Sequence, residues 1–267
     1  MIEKYYDGAI EQVAAGLGTV EKNYLLVRYS GQFSVENLND TKQLEKNEDI
    51  FVQVHEFETG EITCAYEPYL TMICDGFRRY MTGTFEEFME TCDVYYLHRP
   101  VLLGYFNQDN TGREEIILLD EVAYEQERML AALERMLCAI ADRHPVLFVL
   151  NRFQLASKST MQLTARFLKR ENCNIGLVLG VSDIQAMPEF LVPDWEMLYE
   201  TLDDGSKIYH IGNSGRKKEE TIDDEKYVDY GSEKVYRKLQ NMVEFLDFDQ
   251  AAYYLETIER KIKFDNL

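Results

Sequence analysis

The stretch Pro145–Leu163, PVLFVLNRFQLASKSTMQL, sets a five-residue apolar run, Val146–Leu150, directly before Asn151-Arg152. A short apolar run bounded by a proline and polar residues reads as a buried strand. In enzymes that hydrolyse nucleotides, a strand of this kind ends in acidic residues that hold Mg²⁺. Here an amide and a cation stand at that end. A second run, EEIILLDEVAY (Glu114–Tyr124), does end in carboxylates, Asp120-Glu121. That is the pattern of a Mg²⁺ ligand followed by a water-activating Glu. It runs straight into a helical pattern, however, whose amino end favours the same two negative charges. Asp120 and Glu121 are therefore read first as helix-start charges and only alternatively as metal-binding groups.

Other catalytic signatures are missing. His55, His98, His144 and His210 have neither an i,i+4 partner nor the spacing of a metal cluster, and are read as structural. No GxSxG nucleophile motif occurs. The five cysteines, Cys64, Cys74, Cys92, Cys138 and Cys173, form no CxxC and are odd in number. They read as reduced, mostly buried thiols. Arg78-Arg79 and Arg216–Lys218 are compact basic groups, read as solvated faces.

The elements around these residues follow from periodicity. Ile2–Ala15 reads as a helix with Ile2, Tyr6, Ile10 and Val13 on one face, stopped by Gly16 and Gly18. Tyr24–Tyr29 (YLLVRY) and Ile50–Phe57 (IFVQVHEF) read as strands. Tyr66–Tyr80 is helical by spacing, with Pro68 in its first turn. Thr84 with Glu87 makes a capping box for TFEEFMETC. Val122–Arg143 is a helix with one apolar stripe: Met129, Leu133, Met136, Leu137 and Ile140. Ser157 or Ser159 caps a helix reaching about Arg170. Asn174–Val181 and Lys207–Ile211 are strands, with a helix over Asp194–Leu202 between them. Strands alternating with helices predict an α/β fold, a mainly parallel sheet covered on both faces. The domain plan is an α/β domain over 1–213, a charged linker over 214–231, and a helix pair over 232–267, from Glu233–Leu246 and Phe248–Phe264. One such pair is also what the start of a helical repeat would look like.

The run Asn151, Arg152, Phe153, Gln154, Leu155, Ala156, Ser157 resembles the nucleotide-binding domain of STAND-class P-loop ATPases, found in large bacterial signalling regulators. In that family the strand runs into two acidic residues, an apolar residue, Gln, Trp, Ala, Asp, and a Ser-capped helix. Gln154, Ala156 and the Ser/Thr helix start fit; both acidic positions, the Trp and the second Asp do not. The helix Tyr124–Arg143 with His144-Pro145, NIGLVLGVSD, WEMLYETLDDGSKIYHIG and HEFETGEITCAYEPYLTMICDGF resemble neighbouring segments of the family. The resemblance spans about residues 20–213 and implies a P-loop after the first strand. In YLLVRYSGQFSVENLND, Gly31 takes the first glycine, but Glu36 stands for the second, Asn37 for the lysine and Leu38 for the Mg²⁺-binding hydroxyl. A carboxylate beside polyphosphate is repulsive, and leucine binds no metal. Both places that do the family's chemistry are altered, which points to a pseudo-enzyme.

Composition bounds the rest. The chain has 267 residues, 46% apolar, and a net charge of −20. That length can bury a core without disulfide or metal staples. The acidic balance gives no footprint for nucleic acid and disfavours anionic membranes, so neither is an expected partner. The start, MIEKYYDGAIEQV, reads as charged and amphipathic, unlike a signal peptide, and no apolar run approaches membrane length, so the expected localisation is cytoplasmic. The expected function is a non-catalytic P-loop-like signalling or assembly module with no cofactor, acting on a protein partner or on downstream domains of a larger regulator. Two alternatives stand beside it. One is an atypical ATP binder or slow ATPase, in which Asp120 and Glu121 hold Mg²⁺ and Arg28 or Arg152 replaces the lysine. The other is an acidic protein-interaction domain with a basic partner.

Overall fold

The computed structural model describes residues 2–18, 23–30, 33–35, 49–58, 63–108, 121–170, 174–182, 187–202, 208–211 and 233–265. The helices are α1 (Ile2–Gly16), α2 (Tyr69–Tyr80), α3 (Phe85–Thr91), α4 (Arg99–Asn107), α5 (Val122–Arg143), α6 (Lys158–Lys169), α7 (Val192–Thr201), α8 (Glu233–Glu244) and α9 (Phe248–Asp265). The strands are β1 (Tyr24–Tyr29), β2 (Phe51–Glu56), β3 (Val146–Asn151), β4 (Ile175–Ser182) and β5 (Ile208–Ile211). They form one sheet in the order β2-β3-β4-β1-β5, and every pairing is parallel. The protein is therefore α/β with a parallel sheet flanked by helices, as the alternating pattern predicts.

The sheet is buried on both sides, so its central strands are apolar throughout. Residues Tyr24 and Leu26 of β1, Val146, Phe148 and Leu150 of β3, and Leu177 and Leu179 of β4 face a large core shared with α2, α5 and α6. The alternate residues Leu25, Val27 and Tyr29, Leu147 and Val149, and Val178 face α1. The apolar stripe predicted on α5, Met129 to Ile140, is fully buried in this core, beside α2 and α6. At about 25 cal/mol per Å² of apolar surface, such stripes carry most of the folding energy.

Helix α1 lies close to β4 because β4 presents glycine on that face. A Cβ on Gly176 would stand 2.7 Å from Val13 Cγ1, and one on Gly180 would stand 2.3 Å from the Tyr6 hydroxyl. Val13 thus sits over the start of β4 and Tyr6 over its end, so α1 runs antiparallel to the strand.

Local signals fix most element ends. Thr84 and Glu87 form the predicted capping box of α3. Ser157, rather than Ser159, caps α6 by accepting from Thr160 N. Helix α2 begins at Tyr69 and not at Tyr66, because Pro68 stands outside it as the N-cap residue. Helix α4, with Pro100 at its start, has no counterpart in the periodicity reading. The linker over 214–231 and residues 114–120 of the EEIILLDEVAY run lie outside the described residues.

The helix pair α8–α9 has a small core of its own, formed by Val235, Met242, Ala251 and Tyr254. It also docks on the α/β unit. Phe245 enters the main core against Tyr66 and Tyr105. Asn241 Oδ1 accepts from Ala65 N at 3.0 Å. Asp247 is buried and accepts from Ser159 N, in the first turn of α6, at 3.2 Å, and from the Gln250 backbone in the first turn of α9. One carboxylate therefore serves the amino ends of two helices.

Two stability tests follow. Gly180→Ala is expected to destabilise by about 1–3 kcal/mol through overpacking. Gly8→Ala, with open space around its Cβ in the middle of α1, is expected to stabilise by about 0.5–1 kcal/mol. Urea denaturation measures both. Burial pushes the Asp247 carboxyl above its ordinary value, against its bonds from Ser159 and Gln250. A raised carboxyl pKa costs stability as pH climbs above the free value of about 3.9. Asp247→Asn keeps an acceptor and removes the titration, so its stability relative to wild type is expected to rise with pH across that interval.

Candidate functional site

Strand order locates the crevice. From β1 the chain crosses to β2 at one edge of the sheet, and from β4 it crosses to β5 at the other. Connections from these two adjacent strands leave in opposite directions. Open parallel sheets bind ligands outside the carboxyl ends of such a pair. The residues there are Tyr29 at the end of β1, Gly180 to Ser182 at the end of β4, and Asn151-Arg152 at the end of the neighbouring β3.

The protein's own side chains fill this position. Tyr29 donates its hydroxyl to Asn151 Oδ1 at 2.7 Å, and Asn151 Nδ2 donates to the Phe33 carbonyl at 3.2 Å. Asn151 is fully buried, so its amide is used from both sides. Phe33 packs against Tyr6 and Tyr29, with ring centroids 5.2 and 5.7 Å apart. Tyr6 is fully buried, and its hydroxyl has no hydrogen-bond partner among the described residues. Burial pushes the Tyr29 phenol up to about 12, opposed by the Arg152 guanidinium, and pushes Tyr6 well above its ordinary value. Both stay neutral, and Tyr29 remains a donor.

Beside this plug lies an ion pair. Glu56, at the end of β2, accepts from Ser34 Oγ at 2.8 Å and Val35 N at 3.1 Å. Arg152 Nε is 3.4 Å from Glu56 Oε1. In a phosphate-binding loop after β1, backbone N–H groups and a cation surround the ligand's oxygens. Glu56 takes a hydroxyl, a backbone N–H and a guanidinium, the same kinds of donor. Arg152 is also the turn residue, in the left-handed region at φ 54. The turn returns Gln154 to β4, where its amide accepts from Ser182 N at 3.4 Å and donates to Ser182 O at 3.2 Å. Gln154 thus continues the sheet's hydrogen bonding past the end of β3.

Of the residues singled out from sequence, Asn151 and Arg152 come together at the crevice. Gly31, Glu36, Asn37, Leu38 and Asp120 lie outside the described residues. Glu121 is exposed at the amino end of α5 and makes no side-chain capping bond. Arg28 lies on the opposite side of β1 from Tyr29, with its guanidinium 5.1 Å from the centre of the Tyr199 ring. Tyr6, Phe33 and Glu56 were not singled out. Their signal in sequence is weak: an aromatic on an apolar helix face, a polar loop, and an acid closing a strand.

The remaining titratable groups have structural surroundings. Burial pushes the Cys74 thiol up to about 12 and Cys92 to about 11. Both are protonated and poor nucleophiles. His98 is fully buried, with Nε2 3.1 Å from Glu125 Oε2. His144 stacks on Tyr80 at 4.1 Å, and burial lowers His55. No group of three potential metal ligands occurs among the described residues. No described helix is long and apolar enough to cross a membrane. Neither a family model nor a curated protein matches the chain.

If Asn151 is a two-sided structural amide, an acid there is harmful. Asn151→Asp loses the bond to Phe33 and sets a buried carboxylate against a carbonyl. The expected cost is about 3 kcal/mol at neutral pH. Burial raises such a carboxyl's pKa, and its protonated form can donate, so the loss should shrink as pH falls. Thermal melts across pH measure this. Recovery on adding Mg²⁺ at neutral pH would instead show that the position still makes a metal site.

Proposed function

We propose that the chain is a non-catalytic, STAND-like P-loop-derived module that acts in signalling or assembly through protein contacts. The observation that carries this reading is the occupied crevice. Where an open parallel sheet would receive a ligand, Tyr6, Tyr29, Phe33 and Asn151 pack together. The adjoining carboxylate, Glu56, takes the donors that a phosphate would need. Admitting a nucleotide would require breaking those bonds and then burying a polyanion beside Glu56, which costs Coulomb energy. The parallel sheet, the apolar strand β3 and the Gln154 turn support descent from a nucleotide-binding ancestor. The family resemblance supplies the context, a piece of a larger bacterial regulator. The α8–α9 pair, docked through Phe245 and Asp247, is where a downstream region would join the α/β unit.

Calorimetry with ATP, ADP and GTP, each with and without Mg²⁺, tests the reading, with thermal shift in parallel. No heat and no shift at millimolar nucleotide is the expected result. Saturable, Mg²⁺-dependent binding would overturn it and favour an atypical ATPase, making Asp120, Glu121 and Arg152 the residues to change.

A further inference from the structure

A cavity lies between α2, α4 and the docked helix α8, lined by none of the crevice residues. Its volume is about 430 Å³, within the range of about 300–1,000 Å³ typical of small-molecule sites. Its two long walls have an unusual composition for facing helices. On α2 the wall is Thr71, Cys74, Asp75 and Arg78, spaced i, i+3, i+4, i+7. On α8 it is Arg237, Gln240, Asn241 and Glu244, with the same spacing. That spacing is one helix face, and two such faces opposed across a domain are normally apolar and interdigitated. Here both are polar and stand apart. Each wall carries one cation and one anion, and Tyr105 and Phe245 supply an aromatic surface between them.

Several of the polar groups have partners of their own. Arg78 donates to the Phe106 carbonyl at 2.7 Å and to Asp75 Oδ1 at 3.3 Å, and lies 4.5 Å over the Phe106 ring. Thr71 Oγ1 and the Tyr105 hydroxyl are 3.2 Å apart. Gln240 donates to Glu244 at 2.8 Å, and Asn241 anchors α8 to Ala65. Side chains that already have partners lose less entropy on binding a ligand. Two cations and two anions favour a ligand carrying both signs. A polyanion would meet Asp75 and Glu244, and a simple cation would meet the two arginines.

We propose that this cleft binds a small zwitterion of the amino-acid or dipeptide class, with its ammonium toward Asp75 and Glu244 and its carboxylate toward Arg78 and Arg237. Such a ligand bridges α2 and α8 and so tightens the docking of the helix pair. The proposal stands whether or not the sheet crevice binds nucleotide.

The test is calorimetry on the full chain with the common free amino acids and representative dipeptides. N-acetylated amino acids, alkylamines and ATP serve as single-sign controls. At least one zwitterion is expected to give saturable heat at millimolar concentration and to raise the melting temperature, while its N-acetyl form does not. Asp75→Asn and Arg237→Gln, on opposite walls, are each expected to weaken binding about tenfold or more. Melting curves establish that each variant is folded, and if one is not, the other decides. The proposal is overturned if no zwitterion binds, if the acetylated forms bind as well, or if the folded variant binds unchanged. ATP binding that Arg237→Gln abolishes would also overturn it, as a polyanion site.

Discussion

A buried amide must spend both of its ends, and Asn151 does so at the place where three parts of the chain converge. Its carbonyl takes the Tyr29 hydroxyl at the end of β1, and its amino group holds the backbone at Phe33. With no water to compete, each of these bonds would leave an unsatisfied polar atom if broken, at a cost of about 1–3 kcal/mol. The segment after β1 is thereby tied down across β3. The Gly180 gap admits Tyr6 over the same spot, so α1, β1, β3 and β4 are all registered on one side chain. A carboxylate at this position would repel the carbonyl it now serves. An amide at this position satisfies both neighbours, which an acid could not do.

The charges nearby follow the same logic. Glu56 and Arg152 are only partly exposed. A half-buried carboxylate is tolerable when it has donors, and Ser34, Val35 and Arg152 provide them. The carboxyl ends of parallel strands gather backbone donors from the loops that follow. Something anionic usually balances them, and in this chain the balance is internal.

Most elements were legible because their signals are local. Val122–Arg143 has a sustained apolar stripe and matches α5 residue for residue, and YLLVRY is β1. Thr84 and Glu87 mark a helix start by chemistry within four residues. Helix α4 was not legible: RPVLLGYFN carries apolar residues without a clean period. At the crevice, Asn151-Arg152 stood out because an amide and a cation end an apolar strand. Their partners did not stand out. That Tyr6 reaches the end of β4 depends on two glycines in a different strand, and that Glu56 meets Ser34 depends on a loop crossing the sheet. Such pairings are set by strand order, which periodicity does not encode.

The carboxylate of Asp247 has a mechanical meaning as well as an electrostatic one. It is the pin of a joint: α6 and α9 meet end-on at it, and Lys158 pairs with Asp249 alongside. The first turns of α9 and α6 thus share one carboxylate, and the Ser157 cap and the Gln154 turn carry the connection on to the last residue of β4. The helix pair and the sheet's carboxyl edge are therefore joined by one continuous mechanical path.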